Sequence, residues 1–379
     1  MEFDNQSLGE VIVQARTARG SDAQARLREK NAQNTMNVVS AKSMELSPDI
    51  TVANVIQRVS GMSIERNSSG DAQYAIVRGM DKRYNYTLVN GVKIPSPDNK
   101  NRYVPLDIFP AQMLERLEVS KGLTADMEGD AIGGSVNLVM KSAPETFEVD
   151  ADLQVGYNAI HFDRQFYTYD RATEQRFSPA ERFGSRYEAT PDDFSKDNLI
   201  VSQINPLPDV FGGVTVGDRF FDGKLGVMLG GSLQNSYRSA DRDWYKIDSD
   251  PVGTGRPALG NFQQRETSVN QFRLGLHSKL DYRFNEKNNV SLYLGRFVLN
   301  DFEVRESINS DRDQTGDNQN ATFLFQTRVR STYSNISNAT LQGDHALFDD
   351  KFLIDWSALI SRAEFERPDN AIFQRNGGL

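Results

Sequence analysis

From residue 149 to residue 360 the chain repeatedly alternates apolar and polar side chains, one for one, over runs longer than a globular strand needs. Phe272, Leu274, Leu276, Leu280, Tyr282 and Phe284 share one parity, and Arg273, Gly275, His277, Lys279, Asp281 and Arg283 the other. Successive side chains of a strand point to opposite faces, so such a run has one apolar face and one wet face. The pattern recurs in Val149, Ala151, Leu153, Val155 and Tyr157 against Asp150, Asp152, Gln154, Gly156 and Asn158. It returns in Leu225, Val227, Leu229 and Leu233 against Gly226, Met228, Ser232 and Gln234, and in Phe352, Ile354, Trp356, Ala358 and Ile360. About ten residues of this alternation cross a bilayer as a β-strand, one face to lipid and the other to a watery lumen. A soluble β-sandwich alternates too, but it does not need strands this long.

Seven strands are expected, at 147–158, 198–219 with an interruption at Pro206 and Pro208, 223–237, 267–284, 289–304, 321–345 and 351–366. Asp222-Gly223 and residues 285–289 are short turns, whereas the links 159–197, 238–266 and 305–320 are long and polar, as on the outer side of a membrane barrel. The 379 residues are 38% hydrophobic with no run apolar enough for a membrane helix. A net charge of −9, with Lys and Arg dispersed, argues against nucleic acid as a partner. The absence of cysteine suits an envelope protein that does without disulfides.

The first third of the chain is patterned differently. Val52, Val55, Ile56 and Val59 have the spacing of an amphipathic helix, Gly61 can end it, and Met62-Ser63-Ile64 reads as a strand. Residues 74–78 and 86–89 are β-prone, and Asn90-Gly91 ahead of Val92-Lys93-Ile94 is a hairpin signal. A helical turn or two is expected over 111–117, leading into a strand closed by Lys121-Gly122. Gly133-Gly134 precedes the alternating Ser135 to Leu138 run, where backbone should pass close to another surface. Together these predict a small mixed sheet with short helices. Residues 22–31 read as a short charged helix, a solvated linker rather than a binding face.

In order and spacing, the blocks VANVIQRVSGMSIERN, YAIVRGMDKRYNYTLVNGVKI and PLDIFPAQMLERLEVSKGLTADMEGDAIGGSVNLVMKSA resemble the plug domain of TonB-dependent outer-membrane receptors. The resemblance implies an α+β plug over residues 19–144, antiparallel transmembrane β-barrel strands over 145–379, and a coupling segment over 1–18. Barrels of this family close with about 22 strands, so seven imply a partial, truncated barrel. The absence of a signal peptide at Met1 and of an aromatic-terminated last strand leads to the same expectation. Glu10, Val11, Ile12 and Val13 resemble the TonB box, which would pair by β-augmentation with the inner-membrane energy-coupling protein TonB. Taken alone, such a run could equally be an edge strand or a tail.

The implied function is energy-coupled import of a scarce solute through the outer membrane, by rearrangement of the plug. Outer-membrane lipid, TonB and a small molecule or oligosaccharide are the implied partners, with no cofactor and no metal. The apices expected to meet the solute are residues 67–71, 81–84 and 96–103, with Asn67, Asp71, Lys82, Arg83, Tyr84, Asn99, Arg102 and Tyr103 as candidates. The same loops could be plain solvated turns. Arg78 and Arg116 match plug arginines that pair with barrel carboxylates in the family and so act as latches. The version of the motif from Lys121 to Gly134 leans toward carbohydrate, with Tyr84, Tyr86 and Tyr103 available for stacking. A ferric-siderophore receptor and a non-transporting surface receptor or signal transducer are the alternatives. Enzymatic activity is not expected: there is no Gly-x-Ser-x-Gly, Walker or Cys-x-x-Cys motif, and His161, His277 and His345 lack metal-ligand spacing.

Overall fold

The computed structural model describes residues 20–378 except 68, 99, 126, 130, 249–257, 312–321 and 349. The N-terminal domain begins with α1 (Asp22–Asn31), which Ser21 caps by accepting a hydrogen bond from the Gln24 backbone N at 3.3 Å. This helix is not a solvated linker. Ala25 is buried, and the Glu29 carboxylate accepts from the Val38 backbone N at 2.8 Å, which docks α1 on β1 (Met36–Ser40). There follow α2 (Ala41–Glu45), α3 (Val52–Ile56), β2 (Met62–Arg66), β3 (Ala72–Val77), β4 (Asn85–Val89), β5 (Val92–Lys93), β6 (Leu114–Ser120) and β7 (Gly134–Met140).

Strands β2 and β3 form a sheet of their own, while a five-stranded sheet runs β1-β6-β7-β4-β5 with β4 and β7 parallel. The mixed sheet expected from the sequence is thus present. Asn90 at φ 51° and Gly91 at φ 82° make the tight β4–β5 turn, a conformation that Asn-Gly tolerates best. The helical turns expected over 111–117 shrink to a single 3-10 turn at Ala111–Met113, because residues from Leu114 onward pair with β1 on one side and β7 on the other. Gly134 has φ 144°, and a Cβ there would lie 2.3 Å from the Ser120 carbonyl oxygen, so the Gly-Gly step is a close approach of two backbones.

The second part of the chain builds a large antiparallel wall. Its elements are β8 (Glu148–Gly156), α4 (Ile160–Asp163), β9 (Phe166–Tyr169), α5 (Pro179–Phe183), β10 (Val201–Ile204), β11 (Asp209–Phe220), β12 (Leu225–Asp248), β13 (Ala258–Asn285), β14 (Asn288–Asp311), β15 (Thr322–Leu347), β16 (Phe352–Glu366) and β17 (Ala371–Gly378). The wall runs β16-β15-β14-β13-β12-β11-β8, and β17 pairs with the far half of β15. The register places Glu366 beside Tyr333 and Ala371 beside Val329, so β16 and β17 share one row, interrupted around Pro368. The seven expected rows are therefore seen, unclosed among the described residues.

Two expectations about their limits need correction. Residues 201–204 leave the wall to pair with β9, the prolines at 206 and 208 having broken the run. The described parts of the polar links at 238–266 and 305–320 are strand: β12, β13 and β14 stay paired through Asp248, Ala258 and Asp311. A ladder needs backbone partners rather than an apolar face, so strands of 24 to 28 residues outrun the stretch that alternates.

The faces sort as the alternation predicts. Leu229, Leu233, Leu276, Leu280 and Leu294 are exposed on the outer face, whereas Met228, Ser232, Gln234, Arg273 and His277 are buried on the inner face, against the N-terminal domain. One hydrophobic cluster joins the two parts, with Phe109, Met113, Leu117 and Leu138 from the domain and Tyr293, Phe297, Leu299 and Ile336 from the wall. The rings of Phe109 and Phe297 meet at 4.8 Å. Beyond the leucine belt the outer face turns polar, and there the β9–β10 hairpin lies on it: Tyr167 N donates to Ser268 Oγ at 3.2 Å, and the Tyr169 and Ser331 hydroxyls bond at 2.7 Å.

Candidate functional site

Where the N-terminal domain meets the wall, the turn after β2 and the loop before residue 103 face the inner side of β13–β16 across a cavity of about 310 Å³. Glu65, Asn67, Tyr74 and Asp98 line one side, and Asp301, Glu303, Arg330 and Arg367 the other. Asn67 holds its turn by accepting from the backbone N atoms of Ser69 at 3.0 Å and Asp71 at 2.9 Å. Asp71 reaches the wall, 3.8 Å from Arg238 Nε on β12. Lys82 sits 4.5 Å above the Tyr74 ring and 4.9 Å from that of Tyr103, with Glu65 as its ion-pair partner. The two tyrosine rings meet edge to face at 4.9 Å. Burial, with Asp107 and Asp98 nearby, raises the Tyr74 phenol above its ordinary value, so it stays protonated and a hydrogen-bond donor.

Of the residues singled out from sequence, Asn67 lines this cavity, while Asp71, Lys82 and Tyr103 pack around its walls. Arg83 turns back to Asp81 at 3.1 Å, and Tyr84 and Arg102 are exposed; none of these three lines the cavity. Asn99 and the segment Glu10, Val11, Ile12, Val13 lie outside the described residues.

The latch arginines are placed differently from the expectation. Arg78 is exposed on a turn with φ 52°. Arg116 bonds Glu118 at 2.7 Å and Glu115 at 3.1 Å, both in the N-terminal domain, because Arg116 and Glu118 share a face of β6. It nonetheless lines a second cavity of about 840 Å³, together with Asp281 and Asp344 of the wall. Lys141 of the domain pairs with Asp150 of the wall at 3.1 Å, whereas a buried junction between the two parts has the opposite polarity. Arg273 of β13 is buried and donates from Nε to the backbone oxygen of Asp107, and from Nη2 to Gln271 Oε1 at 2.8 Å. The Asp107 carboxylate is 1% exposed and unbonded. Burial first, then the neighbouring Asp301 and Asp71, push it up to about 7 against the pull of Arg273.

Sequence reasoning placed Arg273 on the wet parity but did not carry that parity along β14 and β15. Continued, it yields Asp301, Glu303 and Arg305, and opposite them Arg328 and Arg330.

Comparison with known proteins identifies the domain. The TonB-dependent receptor plug domain family matches residues 28–135. The chain is similar to the vitamin B12 transporter BtuB of Photobacterium profundum, 28% identical over 116 residues, which are 30% of this chain and 19% of that protein. Among solved structures it is similar to the ferric enterobactin receptor of Pseudomonas aeruginosa, at 12% identity and TM-score 0.38 over 91% of this chain and 60% of that one. It is also similar to the pyoverdine outer-membrane receptor FpvA of the same organism, at 13% identity and TM-score 0.44 over 89% and 48%. The chain thus spans about a fifth of the matched curated relative's length. It carries a TonB-dependent receptor plug domain followed by an antiparallel β-wall.

Proposed function

We propose that this TonB-dependent receptor chain binds a scarce solute at the outer membrane and passes it inward when TonB draws on the plug. The observation that carries the reading is the cavity shared by plug turns and wall. A ligand there touches both bodies, so its binding free energy depends on how they sit together, and contacts such as Asp71 with Arg238 are the ones it can loosen. Residues 1–18 act as the coupling segment, 19–144 as the plug and 145–379 as barrel strands, with the belt of Leu229, Leu233, Leu276 and Leu294 facing lipid. Chemistry on the solute is not part of this reading.

For the solute, carbohydrate is the class favoured here. The Tyr74–Tyr103 pair beside the cavity supports it, since a sugar ring stacks on an aromatic face. The similarity to a vitamin B12 transporter supports uptake without choosing a saccharide.

The test is uptake of radiolabelled candidates by cells carrying the full-length receptor. Ile12→Pro removes a backbone donor from the coupling strand and is expected to abolish energised uptake while binding persists. Uptake unchanged in that variant would defeat the coupling assignment. Tyr103→Ala is expected to weaken oligosaccharide binding about tenfold, as loss of one stacked ring should; a variant that binds as the parent does removes the support for a saccharide.

A further inference from the structure

The inner face of the wall, next to the candidate cavity, carries arginines that face one another. In the antiparallel register Arg242 of β12 lies directly opposite Arg265 of β13, and Arg305 of β14 directly opposite Arg328 of β15. Arg330 follows Arg328 on the same face and lines the cavity. Like charges directly opposite on one face of a sheet repel and destabilise it, so two such pairs on neighbouring strands are a cost that folding alone does not explain. Glu303 offsets part of it by bonding Arg328 and Arg330 at once. Glu266 and Glu306 do not help, because they are on the opposite parity: Glu266 accepts from Tyr167 of the docked hairpin and Glu306 from Thr327. The Nε atoms of Arg305, Arg328 and Arg330 are buried without a hydrogen-bond partner. Trp244, nearly half exposed, shares the face and lies 5.8 Å from the Arg265 guanidinium.

We infer that Arg242, Arg265, Arg305, Arg328 and Arg330 form a receiving surface for a solute with two or more anionic groups, carboxylates foremost. Guanidinium forks bind carboxylates in pairs, and a rigid β-ladder holds them at fixed spacing, so a multiply charged ligand fits where a single anion would leave pairs unrelieved. An indole face among the arginines suits a ring that carries the charges. This deepens the solute-receptor reading above and rests on it for its biological sense. Two ligand sources share the chemistry: an acidic oligosaccharide and an anionic ferric chelate.

The test is calorimetric binding to the purified full-length receptor in detergent, without energy coupling, so that failure of transport does not enter. The probes are a tetragalacturonate, a neutral glucose tetramer, ferric citrate and inorganic phosphate. The variant is Arg242→Gln with Arg305→Gln, which takes one arginine from each opposed pair and leaves both Glu303 ion pairs in place. The tetragalacturonate, ferric citrate or both should bind at least tenfold more tightly than the neutral tetramer, and lose about tenfold or more in the variant. A response to one alone names the source. The variant should also melt higher than the parent in the absence of ligand, because repulsion is relieved. Equal binding of charged and neutral tetramers with no ferric citrate binding, a response to phosphate alone, an unchanged affinity in the variant, or a variant that melts lower would each overturn the inference.

Discussion

Asp107 is a carboxylate kept where a carboxylate is expensive. It sits on the plug turn Leu106–Ile108, fully buried and unbonded, while the nearby Arg273 spends its hydrogen bonds on the Asp107 backbone and on glutamine side chains. Its acidity moves from 3.8 to about 7, so the folded chain holds a proton there that the unfolded chain releases. The sign follows from linkage. With more protons bound in the folded state, the contribution of this group to stability is best below about pH 4 and declines as the pH rises toward 7. Asp107→Asn keeps the shape and removes the charge, so it should flatten that slope. The variant is expected to match the parent near pH 4 and to exceed it by a few kcal/mol near pH 8, as read by thermal melting across that range. A variant that loses stability at pH 8 would instead make Asp107 the ionised counterion of Arg273.

Strands and turns were read from the sequence with unequal success, and the reasons are local. Asn90-Gly91 was legible because few residue pairs accept positive φ twice in succession, and the wall rows because alternation is long and strict where one face meets apolar surroundings. Past Gln234 and before Phe272 the alternation fades while pairing continues, so the sequence there has the pattern of a polar loop although the wall goes on. The candidate site was only half legible for a different reason: its plug turns stand out in the sequence, but Glu303, Arg328 and Arg330 lie within the strands expected at 289–304 and 321–345, and only the cross-strand register shows that they meet on one face. The β9–β10 hairpin was invisible too, since its partners are far away in sequence. Phe166 and Tyr169 are buried, and Tyr169 packs with Val304 and Val329 on the outer face. Tyr169→Ala should therefore release the hairpin and leave the wall intact. Limited proteolysis is expected to cut faster within residues 170–200, with little change in the main melting transition. An unchanged cleavage rate would mean that the aromatic contacts do not hold this segment.

Taken together, plug and wall divide the physical tasks between them. The plug supplies most of the shared core, with Val52, Ile56, Phe109, Leu117, Leu138 and Met140, and closes it with a five-stranded sheet of its own. The wall has no such independence. Its inner face packs against the plug, its outer face presents leucines, and the β8 row and the β16–β17 row each have a wall partner on one side among the described residues. An unpaired strand edge carries a line of open donors and acceptors, which another chain can complete. In lipid each such group left open costs several kcal/mol. Residues 1–379 expressed alone are therefore expected to need detergent and to self-associate through those edges, whereas residues 19–144 should persist as a compact, protease-resistant domain of ordinary small-domain size. Size-exclusion chromatography with light scattering, with and without detergent, measures the first part, and mass spectrometry of a tryptic digest the second. A monodisperse monomer of the full 379 residues in plain buffer would contradict a lipid-facing wall, and digestion of the plug at the same rate as the wall would contradict a plug that holds together by itself.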